Sequence, residues 1–229
     1  MTAYHKTKTL YDDQTGITYL QFHKGTLPKK VIFAFHGYGS DAYFMENIVR
    51  QMDIDAIYVI PNAPQSCNGN KDLNIPADEG SQWFSMTNLD PEDVREGAMK
   101  SRIYIENFIR NILDGLGMSK SQTFYMGFSQ GAILTNTLGF YETEYVNGII
   151  SCSGTLIIPK DAKDPSNNID FLLTHGAEDH VVPPILAKIA LKSMIEHGIH
   201  ARLEIFEGLD HDIDHRVIDC INQYISSKI

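Results

Sequence analysis

Residues 123–131 read Thr-Phe-Tyr-Met-Gly-Phe-Ser-Gln-Gly, and an apolar stretch over residues 132–140 follows them. The first six residues have the apolar and aromatic content of a buried strand, and the later stretch has helical character. Gly127, Ser129 and Gly131 thus form the pattern G-x-S-x-G at a predicted strand-to-helix turn. Such a turn exposes the serine hydroxyl at a helix N-terminus, where backbone N–H groups favour developing negative charge. We expect Ser129 to be a nucleophile; the alternative is a glycine-rich turn with a capping serine.

Short β-branched and apolar runs occur on both sides of this turn and alternate with longer segments of helical periodicity. Most runs from residue 31 onward are continuously apolar, which is typical of strands covered on both faces of a parallel sheet. The candidate strands are Ile17–Phe22, Val31–Phe35, Ala56–Ile60, Thr123–Phe128, Gly148–Ser153, Phe171–His175 and Arg202–Phe206. The alternation predicts an α/β fold with a mainly parallel central sheet and helices on both faces.

Three further helices carry start signals or periodicity. Asp90-Pro91 is typical of an N-cap and a first helical residue, and the apolar spacing behind it continues to Gly117, a predicted stop. Pro184 begins a helix that runs to about Gly198. The last helix has one apolar face, formed by Val217, Ile218, Ile221, Tyr224 and Ile225.

A glycine loop follows the candidate strand that ends at Phe35. His36-Gly37-Tyr38-Gly39 is an HG-x-G sequence, and a loop in this place can direct a second backbone N–H at the same oxyanion. The expected donors are the backbone N–H groups of Tyr38 and Gln130. An ordinary glycine turn after a strand is the alternative.

A nucleophilic serine needs a base and an acid that orients the base. Glu178 and Asp179 follow the strand Phe171–His175, and His211 follows the next strand in a loop before the last helix. The order Ser, Asp, His with each residue after a strand is that of the α/β hydrolases. We expect Asp179, rather than Glu178, to orient His211.

The chain has nine histidines, so most need another explanation. His36 and His175 stand at strand ends before glycines, and we expect them to bond loop backbone as structural groups. The run from Asp210 to His215 could suggest a metal site, because two histidines four residues apart on a helix can share an ion. No third ligand is evident, so we expect no metal and no cofactor.

Composition excludes several classes of protein. The chain has 229 residues, 43% of them hydrophobic, and a formal net charge of −10, without a run of Lys and Arg. Nucleic-acid binding and stable anchoring to an anionic membrane are therefore disfavoured. No repeat, low-complexity tract or linker divides the sequence, so we expect one domain over residues 1–229.

The cellular setting can also be predicted. Three scattered cysteines, Cys67, Cys152 and Cys220, favour a reducing compartment over a disulfide framework. Residues 1–13 lack the apolar core of a signal peptide, and no run is long enough to span a membrane. The cytoplasm is the expected location, and the sequence leaves the oligomeric state open.

The motifs together resemble the phospholipase/carboxylesterase family, which includes acyl-protein thioesterases and lysophospholipases. The resemblance covers roughly residue 30 to the C-terminus. It is carried by the loop at His36, the segments 60–64, 82–84 and 127–132, His175-Gly176-Ala177-Glu178-Asp179 with Val182-Pro183, and Glu207-Gly208 followed by His211. The sequence departs from the family pattern at Ser85, where an aspartate usually follows, and at Tyr38, where leucine is frequent.

The resemblance implies an α/β-hydrolase fold with little or no cap domain, and hydrolysis of small-molecule or lipid-like acyl esters or thioesters. It implies Ser129 as nucleophile, Asp179 as acid, His211 as base, and Tyr38 and Gln130 as oxyanion donors. It places Trp83 near the acyl pocket, with the loops 62–80 and 155–170 as candidate walls. Both loops are polar, so we expect a preference for short to medium acyl chains.

Two other kinds of function remain open at this point. The same chemistry could serve a serine peptidase or a dienelactone-type hydrolase. The fold could also be a catalytically idle binding module, which the presence of Ser129, Asp179 and His211 disfavours.

Overall fold

The computed structural model describes residues 6–67, 80–86, 89–159, 162–163, 165 and 168–228. The strands are β1 (Lys8–Asp12), β2 (Ile17–His23), β3 (Val31–Phe35), β4 (Ile57–Pro61), β5 (Gln65–Ser66), β6 (Ser81–Gln82), β7 (Thr123–Phe128), β8 (Gly148–Cys152), β9 (Asp170–Gly176) and β10 (His200–Phe206). The helices are α1 (Ala42–Val49), α2 (Pro91–Leu116), α3 (Gln130–Tyr141), α4 (Pro184–Glu196) and α5 (His215–Ser226). Among these described residues, no helix is long and apolar enough to cross a membrane.

Eight strands form one sheet in the order β1-β2-β4-β3-β7-β8-β9-β10. The pairs from β4 to β10 are parallel, while β1 and β2 add an antiparallel hairpin at one edge. Strands β3 and β8 and the central strand β7 are buried along their whole length. The predicted α/β fold with a mainly parallel sheet is confirmed, and the continuous apolar runs have the expected cause, since both faces are covered.

The helices divide between the two faces of the sheet. Helices α2, α3 and α4 pack into one apolar cluster, which includes Phe108, Leu134 and Met194. Helices α1 and α5 pack into the other, which includes Met45 and Ile221. This division matters for the site, because the loops at the carboxyl edge of the sheet meet between the two groups of helices.

The observed helix boundaries agree closely with the predicted ones. The Asp90 side chain accepts a hydrogen bond from the Glu92 N–H and caps α2, and Gly117 ends it in a left-handed conformation with φ 63°. Helix α4 begins at Pro184, as predicted, and ends two residues before Gly198. The seven predicted strands lie within two residues of the observed ones at either end.

Strand β1, the short β5–β6 pair and helix α1 are not among the elements that the sequence predicts. Strand β1 is an edge strand with mostly exposed or half-exposed residues, so it lacks the alternation that a half-buried strand shows. Helix α1 has only eight residues, capped by the Asp41 side chain on the Phe44 N–H. A helix of two turns gives a weak periodic signal.

Candidate active site

Ser129 occupies the sharp turn between β7 and α3. Its backbone has φ 55° and ψ −117°, a strained conformation for a residue with a side chain. The turn is held by the Ser129 N–H, which donates to the Cys152 carbonyl at 2.9 Å. A Cβ on Gly127 would overlap the Gly131 carbonyl, and a Cβ on Gly131 would overlap the Phe35 carbonyl. Both glycines of the pattern are therefore required by close backbone contacts.

Asp179 and His211 meet Ser129 at the carboxyl edge of the sheet. The His211 Nε2 lies 3.0 Å from the Ser129 Oγ, and the His211 Nδ1 lies 2.8 Å from the Asp179 Oδ2. Asp179 is 3% exposed and follows β9; His211 follows β10. With its proton on Nδ1 and donated to the carboxylate, the ring presents the Nε2 lone pair to the serine hydroxyl.

The Asp179 carboxylate is fixed by its own loop. Its Oδ1 accepts hydrogen bonds from the Val181 N–H at 2.9 Å and the Val182 N–H at 2.7 Å. Glu178, the other candidate acid, is exposed, and its backbone N–H donates to the Leu209 carbonyl. The structure thus brings Asp179, rather than Glu178, against His211.

The loop after β3 borders the same site. His36 is fully buried, its Nδ1–H donates to the Gly37 carbonyl at 2.7 Å, and its Nε2 accepts from the Ala63 N–H at 3.1 Å. Burial lowers the pKa of His36 to about 4, so the ring is neutral and holds this loop in place. Tyr38 of this loop and Gln130, the first residue of α3, line the cavity beside Ser129. The first-turn position of Gln130 leaves its N–H without an intrahelical acceptor.

An apolar groove opens from Ser129. We define its catalytic end by the residues that share a cavity with the serine, which include Phe44, Phe128 and His211. We define its far end by the residues that the continuing cavity reaches; these are Pro91, Val94, Thr155, Leu156, Ile157, Ile158, Leu186, Ile189 and Ser193. Met86, Leu89, Ile133, Val181 and Val182 line both ends and join them.

Comparison of the whole sequence with known protein families identifies the family in which this site occurs. The model of the phospholipase/carboxylesterase family matches residues 22–229. The chain belongs to that family. As a phospholipase/carboxylesterase family member, it is a serine hydrolase that acts on esters or thioesters.

Relatives of this chain match it over most of its length. Acyl-protein thioesterase 1 homolog 1 of Dictyostelium discoideum is 27% identical over 228 residues, 93% of this chain and 96% of its own. Acyl-protein thioesterase 1 of Aspergillus fumigatus is 26% identical over 212 residues, 85% of this chain and 86% of its own. The crystal structure of esterase PE8 is 27% identical and superposes with a TM-score of 0.77, covering 98% of this chain and 100% of that chain.

Trp83, which the resemblance implies lies near the acyl pocket, does not itself line the groove. It is 1% exposed, and it is not among the described residues that line the groove. Its Nε1–H donates to the His36 carbonyl at 2.8 Å, and its N–H donates to the Gln130 Oε1 at 2.9 Å. Trp83 therefore supports the glycine loop and the start of α3 from behind. The indole ring is large, so it makes more apolar contacts inside the core than it would at an open groove.

His175 has a role that sequence analysis gave only in part. It is buried, and its Nε2–H donates to the Val182 carbonyl at 2.7 Å, which confirms the predicted bond to loop backbone. The same Nε2 also lies 3.2 Å from the Asp179 Oδ2. His175 thereby ties the strand end of β9 to the loop that holds the carboxylate.

The candidate walls of the groove agree with the expectation in one of the two loops, 155–170. Most of the loop 62–80, residues 68–79, lies outside the described residues. From the loop 155–170, Leu156, Ile157 and Ile158 face the groove, and α4 adds Leu186 and Ile189. The described lining of the far end is therefore mainly apolar, although both loops are polar in composition. The sequence signal that could have pointed to α4 is the helical spacing of apolar residues after its predicted start; four of them, Ile185, Leu186, Ile189 and Ile195, are exposed in the structure.

The acidic run before α5 organises the backbone. The Asp210 carboxylate accepts from the N–H groups of His180 and His211, and these bonds lower the pKa of Asp210. Asp214 caps α5 by accepting from the Arg216 and Val217 N–H groups. Over the described parts of the chain, no three His, Cys, Asp or Glu side chains are grouped so that they could hold a metal ion.

Proposed function

We propose that this protein hydrolyses esters and thioesters of fatty acyl groups through an acyl-enzyme on Ser129, with His211 as base and Asp179 as the orienting acid. The observation that carries the proposal is the continuous hydrogen-bonded row Ser129–His211–Asp179 at the end of an apolar groove. The relatives named acyl-protein thioesterase support acyl substrates, and the charge of −10 disfavours nucleic acid as a partner.

The geometry supports a two-step reaction. The Ser129 Oγ attacks the acyl carbon while His211 Nε2 takes its proton, and Asp179 stabilises the imidazolium that forms. His211 then gives this proton to the departing alcohol or thiol, which leaves the acyl group on Ser129. A water molecule, deprotonated by His211 in turn, attacks the acyl-enzyme and releases the acid.

The oxyanion is assigned to two backbone donors. The N–H of Gln130 at the start of α3 and the N–H of Tyr38 in the loop after β3 would bind the negative oxygen of each tetrahedral intermediate. The α3 N-terminus adds a favourable dipole. The neutral His36 and the buried Trp83 support this assignment, because both hold the two segments in place.

The far end of the groove is assigned to the acyl chain. Each methylene that leaves water for this apolar lining contributes up to about 0.8 kcal/mol. The binding energy should therefore grow with chain length until the groove is filled, beyond the short to medium chains that the polar loops alone suggested.

The test compares wild type with Ser129→Ala. Reaction with a fluorophosphonate probe should label the wild type at Ser129 and leave the variant unlabelled. The kcat for a p-nitrophenyl ester should fall by about 10⁴ or more, with the melting temperature within a few degrees of wild type. Activity of the variant within tenfold of wild type would refute the proposal. Cleavage of peptide amides without cleavage of esters would instead support the serine peptidase.

A further inference from the structure

The two ends of the groove lie over different faces of the sheet. Phe44 belongs to α1, and the Phe128 ring packs in the apolar cluster that joins α1 and α5. His211 comes from the loop immediately before α5. The far end is lined by α4 residues such as Ile189 and by Val94 of α2, helices on the opposite face. Ser129 lies between the two groups.

This division places the leaving group and the acyl chain of a substrate on different sides of Ser129. Because His211 must give its proton to the departing oxygen or sulfur, the leaving group has to lie on the His211 side of Ser129. The acyl chain then extends away from His211, over the α2 and α4 face. The alcohol or thiol part then lies over the face that α1 and α5 cover.

Three rings follow one another on the leaving-group side. The Phe44 and Phe128 centroids are 5.5 Å apart with planes at 38°, and the Phe128 and His211 centroids are 4.8 Å apart with planes at 40°. Phe128 is 7% exposed, whereas Phe44 is 36% exposed and borders the cavity beside Ser129. Phe44 therefore presents its ring to the cavity, and Phe128 lies between Phe44 and His211.

We propose that Phe44 forms a subsite for the alcohol or thiol part of the substrate and favours flat, uncharged, apolar leaving groups. This proposal rests on the proposed function, since it needs Ser129 and His211 in the roles given there. A ring partner suits Phe44 because offset or tilted aromatic pairs interact more favourably than their buried area alone predicts. The two acids nearest to Phe44 in sequence have other partners: Glu46 is buried and pairs with Arg50, and the Asp41 carboxylate accepts the Phe44 N–H as a helix cap.

The experiment separates leaving-group selection from acyl selection. Methyl butyrate and benzyl butyrate release alcohols of similar acidity, so their kcat/KM ratio reports binding of the leaving group rather than its chemistry. Wild type should prefer the benzyl ester, and Phe44→Ala should reduce the benzyl:methyl ratio about tenfold, or about 1.4 kcal/mol. Phe44→Leu, which keeps apolar volume and is the safer variant for folding, should reduce it at least threefold.

Ile189→Ala is the matched control from the far end. It should leave the benzyl:methyl ratio within twofold of wild type and lower the octanoate:butyrate ratio of methyl esters. An unchanged benzyl:methyl ratio in both Phe44 variants, with hydrolysis that still depends on Ser129, would overturn the subsite alone. Loss of Ser129 dependence would instead overturn the proposed function.

A second pair of esters tests the charge of the leaving group. Choline butyrate and 3,3-dimethylbutyl butyrate have leaving groups of similar shape that differ in charge. Because choline is the more acidic alcohol, the informative quantity is the change on mutation: we expect Phe44→Ala to lower the kcat/KM of the uncharged ester more than that of the choline ester. Preference for choline that disappears in Phe44→Ala would overturn the proposal, because it would show a cation on the ring face.

Discussion

Replacing Asp179 by asparagine tests the orientation of His211 through the hydrogen bonds around the carboxylate. One oxygen accepts from the N–H groups of Val181 and Val182, and the other faces His211 and His175. An asparagine must therefore turn its carbonyl toward the two valine N–H groups, since its NH₂ there would face two other donors.

This orientation forces the wrong tautomer on the base. The asparagine NH₂ would donate to the His211 Nδ1, so the ring would carry its proton on Nε2 and could not accept the proton of Ser129. Loss of the correct tautomer in other Ser-His-Asp enzymes lowers kcat by about 10⁴, or about 5.5 kcal/mol of barrier. We expect a similar loss in Asp179→Asn, measured as kcat on a p-nitrophenyl ester.

Glu178→Gln is the matched control, since Glu178 is the exposed neighbour and carries the same chemical change. It should keep kcat within about threefold of wild type, because surface substitutions have small effects. The reasoning is refuted if Glu178→Gln is the more damaging variant, or if Asp179→Asn keeps kcat within tenfold while remaining folded.

Four further outcomes are expected. On p-nitrophenyl esters from acetate to octanoate, kcat/KM should rise up to about fourfold per added methylene, and a flat profile would contradict an apolar acyl subsite. His36 stays neutral down to about pH 4 in the folded chain, whereas in the unfolded chain it binds a proton below about pH 6.5. Protonation of His36 should therefore lower the free energy of unfolding by about 2–3 kcal/mol between pH 7.5 and pH 4.5. Urea titrations should show that His36→Gln lacks this contribution to the pH dependence. Gly131→Ala should abolish folding or activity, whereas Gly115→Ala, where a Cβ meets nothing within 4 Å, should raise the free energy of unfolding by up to about 1 kcal/mol. Dialysis against EDTA should leave esterase activity unchanged, and a loss restored by zinc would show a metal requirement.

Local sequence determined the parts of the site that lie at strand ends. The glycines around Ser129 predicted its turn, because a side chain at either position would meet backbone in any fold with that turn. Asp179 and His211 could be placed beside it because the carboxyl ends of parallel strands share one edge of the sheet. The single domain over residues 1–229, the cytoplasmic location and the two oxyanion donors stay predictions.

Only the tertiary structure decided what surrounds these residues. Trp83 is buried behind the glycine loop, His175 reaches the Asp179 carboxylate, and Phe44 stands beside Phe128 from a helix that the sequence did not reveal. The groove combines α1, α2, α4 and loops, and its most distant lining residues, Gly37 and His211, are 174 positions apart in the chain. A local pattern determines the backbone path of its own segment. The lining of a groove depends instead on which side chains remain exposed after distant segments have packed against each other. No single segment contains that information.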